Sequence, residues 1–420
     1  MSCRNRELAS LVLVAILTGL GFASVYIARQ DVISTASLAY AIFFLGLYLV
    51  AHAVTRMAVP FADPYVLPLA GLLSAVGVIE IYRINPNDAL RQSIWLVIGV
   101  GVFAATLLLL RRDYRPLENY KYLFGLTAVG LLALPALPVL GERVNGARLW
   151  VRVGGFQFQP GELAKIMLIV FLAGYLREKR EALAQARAKD LGPLLVIWGA
   201  AMLVLVETND LGSALLFFGI FLAMLYVATG RRRYSVAGVV LFVAGGFGAY
   251  HSIAHVRSRV DCWLHPWHDV HGACYQTVQG IYSIGAGRFG GASFGRGTFT
   301  STNGHTLIPS LKTDFIYSAL AQEIGLIGAA GLVLVYVVFV LRGMRTAVLA
   351  DDGFSKLLAA GLTFAFGLQT FIIVGGIVRL IPLTGITLPF VSFGGSSIVA
   401  NFILLAGLLL VSNRAQARQP

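Results

Sequence analysis

The chain has 420 residues, 57% of them hydrophobic and only 13% charged, with a formal net charge of +13. A soluble domain covers its surface with roughly 25% charged residues, and the mean hydropathy here is +0.78, so a soluble fold is excluded and lipid is the solvent the chain needs. The positive balance does not point to nucleic acid, because the lysines and arginines sit in loops between apolar runs rather than on one basic face.

An apolar run of about 20 residues crosses a bilayer as a helix. Twelve runs of this kind are read, at 8–28, 36–55, 65–83, 92–110, 119–140, 162–176, 191–207, 211–229, 233–254, 314–341, 357–379 and 389–412. The expected fold is an all-α polytopic membrane protein with about 12 transmembrane helices. The sixth run needs its amphipathic flank to reach across. No small-residue cleavage motif follows the first run, so it reads as a span and not as a signal peptide. Most of the 33 lysines and arginines fall in alternate loops, among them Arg111, Arg112, Arg177, Arg231 and Arg342. By the positive-inside rule those loops and both termini are cytoplasmic, which places the protein in the cytoplasmic membrane.

Three connections are long: 141–161 and 255–313 outside, and the charged, alanine-rich 177–190 inside, which reads as a solvated amphipathic helix. The segment 255–313 holds many glycines, from Gly285 to Gly304, with Trp263, Trp267, Tyr275, Tyr282, Phe289 and Phe294. A disordered linker would not carry so many aromatics, so this extracellular loop is expected to fold against the bundle. It also contains Cys262 and Cys274, on the side where thiols can oxidise to a disulfide.

Ionisable groups beside or inside apolar runs are costly, and they are functional candidates. Nearly all of them lie on the outer side. In Gln159-Pro160-Gly161-Glu162-Leu163-Ala164-Lys165, Pro160 suits a helix start and Glu162 and Lys165 share a face. They can pin the helix as a salt bridge, line a polar cavity, or do both. Asp210 is placed to cap the helix it precedes. Asp314, beside Lys312 and Thr313, stands where the long loop enters a very apolar helix; it can cap that helix or act as a general base. Desolvation would raise its pKa and Lys312 would lower it. Arg91, Arg148, Arg257 and Arg259 can anchor at the interface, or together with Lys165 bind a lipid-borne phosphate through their planar forks. The prolines and paired glycines from Pro382 to Ser397, including Ser392, Gly394 and Gly395, read either as close helix packing or as a broken helix lining a cavity. The histidines show no metal-ligand spacing, and no Walker motif is present.

In this order, Gly146-Ala147-Arg148-Leu149-Trp150, Phe158 to Lys165, Asp210-Leu211-Gly212-Ser213, Tyr275-Gln276, Thr313-Asp314-Phe315-Ile316, Glu323-Ile324-Gly325-Leu326 and Leu388 to Ser396 resemble the signature of the SEDS family (RodA/FtsW/SpoVE; shape, elongation, division and sporulation). The resemblance implies a peptidoglycan glycosyltransferase that polymerises lipid II at the outer face of the membrane. It implies an essential aspartate at Asp314 and cavity residues at Glu162, Lys165, Arg91, Arg148 and Arg259, with Gln159, Asp210 and Lys312 beside them. It further implies a class B penicillin-binding protein as partner, and leaves a divalent cation, Mg or Mn, as the candidate cofactor. Residues 1–60 then form an added N-terminal helix pair before a ten-helix core at 61–420, similar to actinobacterial RodA-type members. Gly161 stands where the family commonly has Ser, and Leu264-His265-Pro266 where it often has Asp before the Pro. Two rival readings are a lipid II flippase and a scaffold that activates a penicillin-binding protein without catalysing.

Overall fold

The computed structural model describes residues 3–30, 35–137, 140–144, 147–153, 156–181, 192–299 and 306–417. Most of the charged segment expected at 177–190, as well as Gly146, Gly304 and His305, falls outside the described residues. Among the described residues the helices are α1 Cys3–Gln30, α2 Thr35–Ala58, α3 Val66–Ile84, α4 Pro86–Leu110, α5 Lys121–Ala133, α6 Pro160–Glu178, α7 Gly192–Glu207, α8 Leu211–Thr229, α9 Arg232–Ser252, α10 Ala254–Leu264, α11 Tyr275–Gly287, α12 Ile316–Leu349, α13 Gly353–Ile377 and α14 Gly395–Gln416. Nine of these, α1 to α4, α8, α9 and α12 to α14, are long and apolar enough to cross a membrane. The other three expected crossings correspond to α5, α6 and α7, of 13, 19 and 16 residues. α5 is extended by 3-10 turns at Arg115–Tyr120 and Leu134–Ala136.

The helix starts follow local chemistry. Asn85 accepts the Asn87 N–H at 2.9 Å ahead of Pro86, Asp210 accepts the Ser213 N–H at 3.0 Å, and Asp352 accepts the Ser355 N–H at 2.9 Å. In a bilayer, helices associate through close packing rather than through expulsion of water. α3, α13 and α14 form the centre, with 72%, 72% and 78% of their spans buried, whereas α9 stands at the edge with 6%. Gly77 allows α3 to touch the backbone before α14: a Cβ there would lie 2.4 Å from the Val391 carbonyl.

The helical run is interrupted at two places, and protein groups satisfy the backbone at both, as a bilayer demands of any backbone within it. α12 breaks at Gly325, which has φ +67°. The 288–293 segment splices into that break. Ala292 and Ser293 donate to the Gln322 and Glu323 carbonyls, while Leu326 and Ile327 donate to those of Arg288 and Phe289. The second interruption is the 378–394 stretch after α13. Phe393 donates to the Lys312 carbonyl at 2.9 Å, the Ser392 hydroxyl donates to that of Thr313 at 2.5 Å, and Tyr336 reaches that of Pro389 at 2.7 Å. The proline and glycine stretch is thus non-helical, and it also packs closely: a Cβ on Gly395 would lie 2.2 Å from the Trp95 ring.

The connections at 141–161 and 255–313 carry structure that an all-helical expectation does not contain. Residues Gly141–Val144 (β1), Ala147–Val153 (β2) and Phe156–Phe158 (β3) form an antiparallel sheet of order β1-β2-β3, with Val151 opposite Phe158. In the long loop, α10 and α11 lie joined by a Cys262–Cys274 disulfide with Cα atoms 5.1 Å apart.

Candidate functional site

The first turns of α4, α6, α8 and α14 and the chain entering α12 meet at one end of the bundle. Sharing that face requires the chain to leave and return between them, as α4 with α5 and α6 with α7 do. Between these ends, roofed by α10, β2 and β3, lies a cavity of about 900 Å³. Of the residues expected from sequence, Asp314, Glu162, Lys165, Arg91, Arg259, Gln159, Asp210, Lys312, Gly394 and Gly395 line it. Arg148 is not part of the wall: its amide donates to the Thr208 carbonyl at 3.3 Å, while Leu149, Trp150 and Arg152 of the same strand line the cavity. Ser392 acts from behind, accepting the Leu388 N–H at 2.9 Å while its own hydroxyl holds the Thr313 carbonyl.

Glu162 and Lys165 form a buried pair with N···O 2.8 Å. The Lys165 ammonium also donates to Gln369 Oε1 at 2.6 Å, and Gln369 donates to the Thr387 carbonyl at 2.9 Å. The Thr387 hydroxyl donates to Glu162 at 3.2 Å and contacts that of Ser397 at 2.9 Å. This network ties α6, α13, the broken segment and α14 together, so the pair is at once a structural salt bridge and part of the wall. A removal that left one charge buried alone would be severe.

Asp314 sits in the turn before α12, with its amide on the Ser310 carbonyl at 3.0 Å. Burial against the cavity wall raises its pKa from 3.8 to about 6, and the Thr313 hydroxyl and the Arg259 charge pull it partly back. Desolvation therefore wins. The neighbouring cation is not the one adjacent in sequence: Lys312 turns away to Asp88 at 2.6 Å and over the Phe393 ring at 4.9 Å. Arg259 takes its place, held by a bond from Nε to His255 Nε2 at 3.0 Å and from Nη1 to the Leu383 carbonyl at 2.7 Å. Gly385 has φ +77°, a conformation that favours glycine, and a Cβ there would lie in ordinary contact, 3.5 Å from both Arg259 Nη2 and Asp314 Oδ2. Asp210 caps α8 and also faces the cavity; burial raises its pKa, Ser213 lowers it, and Glu162 pushes it up again.

Arg91 and Arg152 stand at the rim, 72% and 61% exposed, with Asp88 3.8 Å and Glu142 3.1 Å away. They, Arg259 and the partly exposed Lys312 are cations of the wall that a phosphate can reach, whereas Lys165 is buried and committed to Glu162 and Gln369. Helix N-termini add positive potential at the same face. Among the described residues no three His, Cys, Asp or Glu side chains converge on a metal position. Asp88, Trp95, Arg152, Gln369 and Thr387 were not singled out from sequence, while Trp150 entered only as the end of the Gly146–Trp150 motif and His255 only as one of the histidines. Two of them carried a signal: Asp88 stands three residues before Arg91, and Gln369 is a lone amide inside an apolar span.

The FTSW_RODA_SPOVE family of cell cycle proteins matches residues 55–417, which leaves α1 and most of α2 outside the match. The chain is 38% identical to the peptidoglycan glycosyltransferase RodA of Mycobacterium tuberculosis, over 98% of this chain and 91% of that one. It is 32% identical to the probable peptidoglycan glycosyltransferase FtsW of Geobacter metallireducens, over 84% of this chain and 95% of that one. Its fold matches a solved structure described as "Structural coordination of polymerization and crosslinking by a peptidoglycan synthase complex", with TM-score 0.70, 26% identity, and coverage of 85% of this chain and 99% of that one.

Proposed function

Because the chain belongs to the FTSW_RODA_SPOVE family of cell cycle proteins, we infer that it is a peptidoglycan glycosyltransferase that polymerises glycan strands from lipid II for cell elongation and shape. The observation that carries this reading is the desolvated Asp314, with a pKa of about 6, facing a polar cavity of about 900 Å³ beside Arg259. A general base works best when its pKa lies near the working pH.

In the proposed step Asp314 takes the proton from the 4-hydroxyl of the acceptor sugar. That oxygen bonds to the anomeric carbon of the growing chain, inverting it. The bond from that carbon to the undecaprenyl diphosphate oxygen breaks, and the diphosphate leaves with the electron pair. Arg259, Arg91 and Arg152 offset the charge that develops on it. Lys165 holds Glu162 and the Thr387 segment in place instead of meeting the diphosphate as a free cation. A Mg or Mn ion is the proposed cofactor; it would be held chiefly by the substrate's diphosphate oxygens and offset their charge, and no step is assigned to it.

The cavity end is proposed to face outward, with both termini cytoplasmic, in keeping with the loop charges. A class B penicillin-binding protein is the proposed partner, and residues 1–60 the added helix pair. A flippase needs charge along a two-faced path, whereas here the candidate groups gather at one end of the helices, which favours the enzyme over both the flippase and the scaffold. The test is to incubate the purified protein and its partner with lipid II and resolve the products by gel. Glycan strands support polymerisation. Translocation without strands would replace it with flipping.

A further inference from the structure

Beside the main cavity lies a second one of about 150 Å³, between α10, α11 and the chain leaving α13. Arg259 and His255 form the wall shared by the two. The remaining lining includes Ser258, Trp263, Gln276, Thr277 and Arg379, and no carboxylate. The main cavity, by contrast, has four: Asp88, Glu162, Asp210 and Asp314.

The second cavity is rigidly framed. The Cys262–Cys274 disulfide joins the two helices that enclose it. Trp263 Nε1 donates to the Arg379 carbonyl at 3.0 Å, and Arg379 Nη2 returns a bond to the Trp263 carbonyl at 2.6 Å. Arg379 Nη1 takes no part in those bonds. The first turn of α11 supplies Gln276 and Thr277 to the wall; the Tyr275 amide is taken by the Gly272 carbonyl at 3.1 Å and the Gln276 side chain by that of Pro309 at 2.6 Å, which leaves the backbone amides of Gln276 and Thr277 as donors at the positive end of the helix. The C-terminal carbonyls of α13, which would repel an anion, are already taken: Val378, Arg379 and Leu380 donate to Val374, Gly376 and Gly375. Asp269, which does not line the cavity, is held by the Ala273 N–H at 2.7 Å. Guanidinium, helix N-terminus and the lack of any acid select an anion. Arg379 Nε also bonds the Trp263 carbonyl, at 3.2 Å, so Nη1 is the one charged donor left for a carboxylate oxygen, and Trp263, Ile381 and Leu383 give the pocket an apolar side that a bare diphosphate would not use.

We propose that this second cavity binds the terminal carboxylate of the peptide stem carried by the lipid-linked disaccharide, with Arg379 and the first turn of α11 as its receptors. The proposal rests on the polymerase reading above. Held there, the stem sets the sugar's approach to Asp314 from across the Arg259 wall, and makes polymerisation selective for substrates with a free stem carboxylate.

The test measures polymerisation by the full chain with its partner on two synthetic lipid II substrates, one with a free stem carboxylate and one with a carboxamide there. For the wild type, amidation is expected to raise KM about tenfold with little change in kcat, the size of about 1.4 kcal/mol. Arg379→Gln should raise KM about tenfold on the carboxylate and leave it unchanged on the amide. Thr277→Leu, which fills the cavity without touching the Trp263 bonds, should do the same, so a folding defect in the first variant does not decide the matter. Equal KM for both substrates in wild type overturns the proposal. So do losses from variant and amidation that simply add, which would assign Arg379 to the diphosphate. A wild type that makes no polymer from either substrate overturns the polymerase reading itself.

Discussion

Replacing Arg259 by glutamine separates the charge beside Asp314 from its burial. Arg259 Nη2 and Asp314 Oδ2 each lie 3.5 Å from the same point over Gly385. At no more than twice that separation, with an effective dielectric of about 20, the guanidinium favours the carboxylate by about 2.4 kcal/mol, or about 1.7 pKa units. Asp314 stands at about 6 with Arg259 in place, so in the variant it should move to between about 7 and 8. A base must be ionised to act, so activity falls as pH drops through that value. Wild-type kcat/KM should show an acid limb near pH 6. Arg259→Gln should shift the limb upward, losing about fivefold at pH 7 from titration alone and regaining it near pH 9. Loss of diphosphate binding would lower the whole profile without moving the limb. The assay is initial polymerisation rate against pH, from 5 to 9. A limb that stays near 6 in the variant refutes the coupling, and a wild type with no limb between 5 and 7 refutes Asp314 as a desolvated base.

Lys165→Ala strands the buried Glu162 carboxylate and should cost about 3–5 kcal/mol of stability, whereas Glu162→Gln with Lys165→Met together should cost far less than the single losses summed; thermal unfolding in detergent reads both, and additive losses would contradict the network. Cys262→Ser with Cys274→Ser opens a loop of sequence separation 12, for which about 3 kcal/mol is expected. Dithiothreitol should lower the wild-type Tm to that of the double variant and leave the variant unchanged; a reductant-insensitive wild type would count against the bridge. Gly77→Ala places a Cβ 2.4 Å from the Val391 carbonyl, so it should lower Tm and depress polymerisation by shifting the broken segment that carries Thr387. An unchanged Tm would mean that α3 can retreat.

The membrane helices were legible because lipid leaves few choices: a run of about 20 apolar residues bounded by charges can only cross. Glu162, Lys165, Asp210 and Asp314 were legible for the same reason, since a charge beside such a run is conspicuous. What stayed hidden depends on chain distant in sequence. Lys312 sits two residues from Asp314, yet the cation that acts on it is Arg259 on another helix. Trp150 and Arg152 reached the cavity through a sheet whose short strands, interrupted by glycine, give weak periodicity. The break of α12 at Gly325 makes sense only once residues 288–293 are seen to occupy it. Gln369 looked like one polar residue in a long apolar helix until its bonds to Lys165 and Thr387 gave it a place.

Asp314→Asn tests the central claim most directly, by lipid II polymerisation and by Tm on the same preparation. The folded protein holds the Asp314 proton more tightly than the unfolded chain, with pKa about 6 against 3.8, so wild-type stability falls by at most about 3 kcal/mol as pH rises from about 4 to about 6. Asparagine escapes that loss. The variant should therefore melt no lower than wild type at pH 8 and make no glycan strands. Strands of wild-type length and yield from the stably folded variant would contradict catalysis by Asp314.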